Sequence, residues 1–257
     1  MSRASGAGTA NSPRPGRLFI GTSGWQYRHW FGPFYPEKPR PRDLLAFYAE
    51  RFDTVEVNGT FYRLASAAAC RRWREVTGPT FTFACKGSRY LTHMRRLKET
   101  GQGIERFFAP LWELEGKLGP IVFQLPERFA PDLDRLTAFM AGLPQPHRYA
   151  FEFRNADWFR DDVLERLAEH AAALCLYDFE GRQAPLRITA DFVYIRLHGP
   201  GAKYSGKYDQ AALAAWADRM VGWRERGLDT YCYFDNDAYG YSASNAIELM
   251  AMLGLSG

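Results

Sequence analysis

Eight short apolar runs punctuate the chain, and each closes on polar or charged residues. They end as Gly21-Thr22, Val55-Glu56-Val57-Asn58, Ala84-Cys85-Lys86, Phe123-Gln124, Phe151-Glu152-Phe153-Arg154, Tyr177-Asp178, Arg196-Leu197-His198 and Phe234-Asp235-Asn236-Asp237. Burying a charge costs free energy unless it is paired, so charges at the same end of eight buried strands imply a shared polar mouth. The runs predict strands over about 18–21, 53–57, 80–85, 119–124, 149–153, 173–177, 192–196 and 229–234. Between them lie segments with helical spacing. Asp43 reads as the N-cap of a helix carrying Leu44, Leu45, Phe47 and Tyr48; Ser66 opens the next, and Asp132 caps one carrying Leu136, Phe139 and Met140. Further helices are predicted over about 104–116, 161–172, 209–225 and 243–253.

Strands alternating with helices predict parallel βα units, and eight such units predict a closed (β/α)₈ TIM barrel, an α/β fold. Residues 178–191 depart from the pattern: Gly181, Pro185 and weak helical periodicity make the sixth crossover helix short or absent. An open doubly wound sheet is the other arrangement of such units, but no GxGxxG or P-loop follows the first strand.

A length of 257 residues suits one barrel domain, expected over 18–257. Residues 1–17 are rich in Gly, Ala, Ser and Pro and read as a disordered tail. That tail also alters the meaning of the net charge. The chain holds 33 basic and 29 acidic side chains; Arg3, Arg14 and Arg17 fall in the tail with no acid, leaving 30 against 29. The basic balance is therefore no argument that the folded body binds nucleic acid. No apolar run approaches the ~20 residues of a membrane span, and no export signal is visible, so a cytoplasmic location without membrane association is expected. The four cysteines, Cys70, Cys85, Cys175 and Cys232, have no metal-type spacing and read as buried thiols.

Side chains two apart on a strand share a face. Glu56 thus pairs with Asn58, Glu152 with Arg154, Arg196 with His198 and Asp235 with Asp237, each pair projecting into the mouth. Taken singly, each of these residues also suits a buried ion-pair network; taken together, they mark a site where barrels carry sites. Lys86 ends its strand and opens a basic loop with Arg89, Arg95, Arg96 and Lys98, which suits a phosphate or carboxylate. A second anion-binding candidate is the Gly/Lys/Tyr loop of residues 199–208. Aromatic residues crowd the loops after the first, second and fifth strands, Trp25 and Tyr62 among them, and could stack on a ring.

His198 is the only histidine at a strand end, which argues against a multinuclear metal site. No cofactor is expected, with one divalent ion at Glu152, Asp178, His198 or Asp235 left open.

These motifs resemble the YecE-like family, a bacterial barrel family without a settled function. The likeness rests on Gly21-Thr22-Ser23-Gly24-Trp25, Val55-Glu56-Val57-Asn58-Gly59-Thr60-Phe61-Tyr62, Phe123-Gln124-Leu125-Pro126, Phe151-Glu152-Phe153-Arg154, Arg196-Leu197-His198-Gly199 and Phe234-Asp235-Asn236-Asp237. The family usually has Asn-Asn where this chain has Asp235-Asn236. The resemblance implies a TIM barrel with an unassigned site, and likeness of that barrel to metal-dependent endonucleases has suggested DNA binding.

The residues themselves favour an enzyme acting on a small anionic, sugar-like substrate. Glu56, Glu152, His198 and Asp235 are the expected acid/base groups. Trp25, Asn58, Tyr62, Lys86, Gln124, Arg154, Asp178, Arg196, Asn236 and Asp237 are the expected ligand contacts. Nucleic-acid binding and non-catalytic ligand binding are the two other readings. Oligomeric state is not legible.

Overall fold

A computed structural model of the chain describes residues 14–201 and 204–255. Eight parallel strands, β1 (Leu18–Thr22), β2 (Thr54–Val57), β3 (Thr82–Lys86), β4 (Leu118–Leu125), β5 (Tyr149–Phe153), β6 (Ala173–Phe179), β8 (Phe192–Leu197) and β9 (Asp229–Phe234), make the wall of a TIM barrel. Helices α1 (Leu44–Ala49), α2 (Ala67–Val76), α3 (Gly101–Leu111), α4 (Leu133–Ala141), α5 (Asp161–Glu169), α6 (Gln210–Glu225) and α7 (Tyr241–Met252) pack outside it. Ser66, Asp132 and Asp209 cap α2, α4 and α6 by accepting the amides of Ala69, Arg135 and Ala212. Asp43 does not cap α1; it sits in a 3₁₀ turn, and its carboxylate takes the Arg40 guanidinium instead.

No helix follows β6. The strand turns at Glu180 and Gly181, both at positive φ (53° and 71°), and returns as the two-residue antiparallel β7 (Arg182–Gln183). Two consecutive left-handed residues give the turn whose twist suits a hairpin. This hairpin stands over the mouth where the sixth helix would have packed outside.

The barrel has one weak seam, between β1 and β2. Their direct pairing is confined to the mouth, where Ser23 bridges Glu56 and the Gly24 amide donates to the Glu56 carbonyl at 2.8 Å. Lower down, the Tyr48 hydroxyl of α1 stands in for a missing rung. It accepts the Thr22 amide at 3.0 Å and donates to the Thr54 carbonyl at 3.1 Å. Gly21 permits this approach, because a Cβ there would lie 2.4 Å from the Thr54 carbonyl oxygen.

Below the mouth the barrel is plugged by aromatic rings. Phe19 stacks on Tyr231 at 4.5 Å, and Phe192, Tyr194 and Tyr233 complete the layer with Ala84, Val122, Ala150 and Cys175. The outward faces of the strands, including Val55, Phe83, Phe123, Phe151 and Leu197, bury against the helices in a second, larger core. Ordered backbone contact begins just before β1, where the buried Gly16 donates to the Arg224 carbonyl and the Arg17 amide donates to Asp229. Residues 1–13 of the expected tail lie outside the described residues, as do Ala202 and Lys203 of the loop after β8.

Candidate active site

Arg196 is the keystone of the mouth. It is fully buried, and every nitrogen of its guanidinium is engaged. Nε donates to Glu56, Nη1 to Glu152 at 2.6 Å, and Nη2 to Glu56 at 2.8 Å and Asp235 at 3.1 Å. Glu56 also accepts the Ser23 hydroxyl at 2.5 Å and the Tyr194 hydroxyl at 2.7 Å from the aromatic plug beneath. One guanidinium thus ties together carboxylates from β2, β5 and the end of β9. Such fork geometry is what arginine supplies and lysine does not.

His198 completes the cluster. Its Nδ1 lies 3.0 Å from Asp235 Oδ2, and its Nε2 lies 2.9 Å from Arg154 Nη2. A carboxylate only accepts and a guanidinium only donates, so these partners assign a neutral ring with its proton on Nδ1. Glu152 Oε1 contacts Arg154 and lies 3.5 Å from His198 Nε2.

The electrostatics follow from this packing. Burial alone would raise the Glu152 carboxyl, but Arg154 and then Arg196 outweigh it and hold it well below the carboxylate range. Burial opposes ionisation of Asp235 too, and the bond to His198 with the charge of Arg196 lowers it. Asp237 is the reverse case: burial, then the neighbouring Asp235, push it up.

Two cations retain unengaged donors. Arg154 is held by stacking, its guanidinium carbon 3.8 Å from the Phe179 ring centre and 5.0 Å from that of Tyr177. Its Nε and Nη1 are shielded from solvent and have no partner among the described residues. Lys86 is 4% exposed, and its ammonium meets the face of Phe61 at 4.5 Å rather than a carboxylate. Burial, and then the charge of Arg196, push its pKa down to about 8 against the pull of Glu152, Asp235 and Glu56. With Lys86 charged, the cluster balances three carboxylates (Glu56, Glu152, Asp235) against three cations (Arg196, Arg154, Lys86).

The expected site residues separate into two places. Gln124 and Arg154 line a cavity of about 200 Å³ with His93, Phe179 and Tyr204. Trp25, Asn58 and Tyr62 line a groove of about 620 Å³ on the β1–β2 side, with Tyr27 and Trp73. Arg63 is the one charged residue lining that groove, and its Trp25 Nε1 and Asn58 Oδ1 are buried without partners among the described residues. Asp237 stands at the rim, its backbone carbonyl 2.6 Å from His29 Nε2.

Four expectations are corrected by geometry. Asp178 does not project into the mouth: β6 runs two residues further than expected, and Cys175, Tyr177 and Phe179 share the inward parity while Leu174 and Leu176 pack under the helices. Asn236 faces outward, donating to Gly206 and Asn245, and so fastens the loop after β8 to α7. Arg196 has no donor left for a ligand, and Glu56 is closed off by the groups that bond to it. Among the described residues, no group of three or more His, Cys, Asp or Glu is arranged to hold a metal ion. Nor is any helix among them long and apolar enough to cross a membrane.

Comparison with known proteins fits this picture. The family model described as "Protein of unknown function DUF72" matches residues 19–257. The chain belongs to the DUF72 family. A similar relative is the UPF0759 protein YunF of Bacillus subtilis, 23% identical over 273 residues, covering 92% of this chain and 94% of YunF. Among solved structures, a DUF72 family protein from Thermotoga maritima is 28% identical with a TM-score of 0.82, covering 93% of this chain and 99% of that one. One from Enterococcus faecalis, 18% identical with a TM-score of 0.79, shares the fold, covering 93% and 96% of the two chains.

In this DUF72 barrel, the residues missed at the sequence level are Ser23, Tyr194, Tyr177 and Phe179. The first two hold Glu56, and the last two carry Arg154. Tyr194 stands two residues before Arg196, so the same alternation that found the charges also marks it.

Proposed function

We propose that the mouth binds a small anionic ligand between Arg154 and Lys86, and that the chain is an enzyme performing acid/base chemistry on it. The observation that carries this reading is the contrast between the cations. Arg196 is fully engaged, whereas Lys86 is buried without a carboxylate partner and Arg154 keeps two donors unmet. Leaving buried donors unmet costs about 1–3 kcal/mol each, which a bound oxyanion would recover. His198 is the proton carrier in this proposal: Asp235 fixes its Nδ1 proton and leaves Nε2 able to accept one. Arg154 covers Nε2, so an anion that draws Arg154 away also uncovers the base. The groove at Trp25, Asn58 and Tyr62, whose one charged lining residue is Arg63, suits the sugar-like remainder of the ligand.

A panel of phosphorylated and carboxylated sugars, read by thermal shift, tests the binding. At least one compound should stabilise the wild type and lose its effect in Lys86→Met and Arg154→Met. If none does so, or if the shift survives both substitutions, the reading fails. For any ligand so found, His198→Gln should abolish turnover while keeping binding. Unchanged turnover would reject the acid/base role, and binding without turnover in the wild type would make the chain a ligand-binding protein.

A further inference from the structure

We infer that Lys86 is a nucleophile that forms an imine with a carbonyl-bearing ligand. This rests on the reading of the mouth as an anion site and narrows its substrate to small anionic aldehydes and ketones.

Three observations place the amine in that role. It ends β3 on the inward parity, two residues after Ala84 of the barrel interior. It is buried, and among the described residues its nitrogen meets the Phe61 ring, at 4.5 Å. No described carboxylate lies close enough to pin it as an ion pair, although Glu56, Glu152 and Asp235 surround it on β2, on β5 and after β9. Structural lysines in this chain are held differently. Lys117 donates to the carbonyls of Arg74 and Thr77, and Lys207 pairs with Glu248 at 2.6 Å. A lysine that is desolvated and set beside another cation is an activated amine, because both effects favour the neutral base. Arg196 is that cation, and burial is the larger effect. His93 faces the same region from the loop after β3; burial, Lys86 and Arg89 push its pKa down to about 4, so it is neutral there.

The chemistry balances without a further reactant. The Lys86 lone pair forms a C–N bond to the carbonyl carbon, and the π pair moves to oxygen, which takes one nitrogen proton to give a carbinolamine. The hydroxyl then leaves with the second nitrogen proton as water, and the C=N bond forms. In this proposal Arg154, whose Nε and Nη1 are unmet, holds the anionic end of such a molecule.

Reductive trapping tests this on the full chain. Pyruvate, glyoxylate, glycolaldehyde phosphate and glyceraldehyde 3-phosphate are each incubated at pH 7.5 with sodium cyanoborohydride, and adducts are mapped by mass spectrometry. The expected result is an adduct on Lys86 formed at least about tenfold faster than on the exposed Lys98 or Lys207, since a lower pKa leaves far more free amine. Lys86→Arg, which keeps the charge, should lose it. Competitive acetylation with acetic anhydride should give Lys86 a labelling midpoint near 8. No Lys86 adduct from any of the four probes, or a midpoint near the ordinary lysine value, overturns the inference. Inorganic phosphate supplies the second arm. If it stabilises the wild type but not Arg154→Met while trapping fails, the imine falls and the anion site stands. If trapping succeeds without any phosphate effect, the anion site falls instead.

Discussion

Replacing Arg196 by methionine removes the one guanidinium shared by Glu56, Glu152 and Asp235 and leaves a side chain of similar reach. The carboxylates stay buried, at 0%, 0% and 4% exposure. Breaking a single buried ion pair by deleting one partner destabilises a protein by about 3–5 kcal/mol. Here three contacts go at once, so the loss should lie at or above the top of that range, against a total stability of about 5–15 kcal/mol. For a chain of this size that is a fall in Tm of about 10–20 °C or more.

The pH dependence carries the sharper signature. Glu152 and Asp235 are both held below the ordinary carboxylate range, in part by Arg196. A depressed carboxylate contributes stability that is present above its unfolded pKa and is lost as pH falls through the folded value. In Arg196→Met that contribution shrinks while burial continues to favour the protonated acids. The gap between wild type and variant should therefore be widest near pH 7.5 and narrow towards pH 5. Urea denaturation followed by circular dichroism at both pH values measures it. A gap below about 1 kcal/mol, or one that does not change with pH, would refute the reasoning, because neither fits an uncompensated buried cluster.

Anion binding should take up protons: at pH 8, where Lys86 is about half charged, up to about half a proton per ligand, and almost none at pH 6.5. Calorimetry in two buffers of different ionisation enthalpy reads this directly. Tyr48→Phe keeps the ring packed on Phe52 but removes the hydroxyl rung between β1 and β2. It should cost about 1–3 kcal/mol and speed hydrogen exchange at the Thr22 amide, whereas unchanged exchange would mean the seam holds without it. The ¹⁵N shifts of the His198 ring should show its proton on Nδ1 and a bare Nε2; a proton on Nε2 would mean that Arg154 does not donate to that nitrogen.

The barrel was legible because eight polar strand ends alternate with segments of helical spacing in all but the sixth crossover, and because two-residue alternation sorts each strand end into inward and outward sets. That rule correctly paired Glu152 with Arg154 and Arg196 with His198. It fails at Asp178 because the sixth apolar run closes on Tyr177-Asp178 and predicts a strand over about 173–177, whereas β6 continues to Phe179 and into a hairpin that reverses which residue matters. Asn236 misled for a related reason: a polar residue between two inward acids looks like part of their set, and only the contacts to Gly206 and Asn245 show that it serves the outside. Nothing local distinguishes Arg196 from Arg154. Both end a strand on the inward face, and their difference arises from which carboxylates converge on each. The Tyr48 rung was illegible for the same cause, since its two partners lie on different strands from each other and from its own helix.

The central claim is that an anion belongs between Lys86 and Arg154. Crystals soaked in selenate and measured at the selenium absorption edge test it most directly. The account predicts an anomalous peak within hydrogen-bond distance of Lys86 Nζ and of Arg154 Nε or Nη1, lost in crystals of Lys86→Met. Peaks confined to the outer surface, with the mouth of the wild type empty at the same soak, would contradict it.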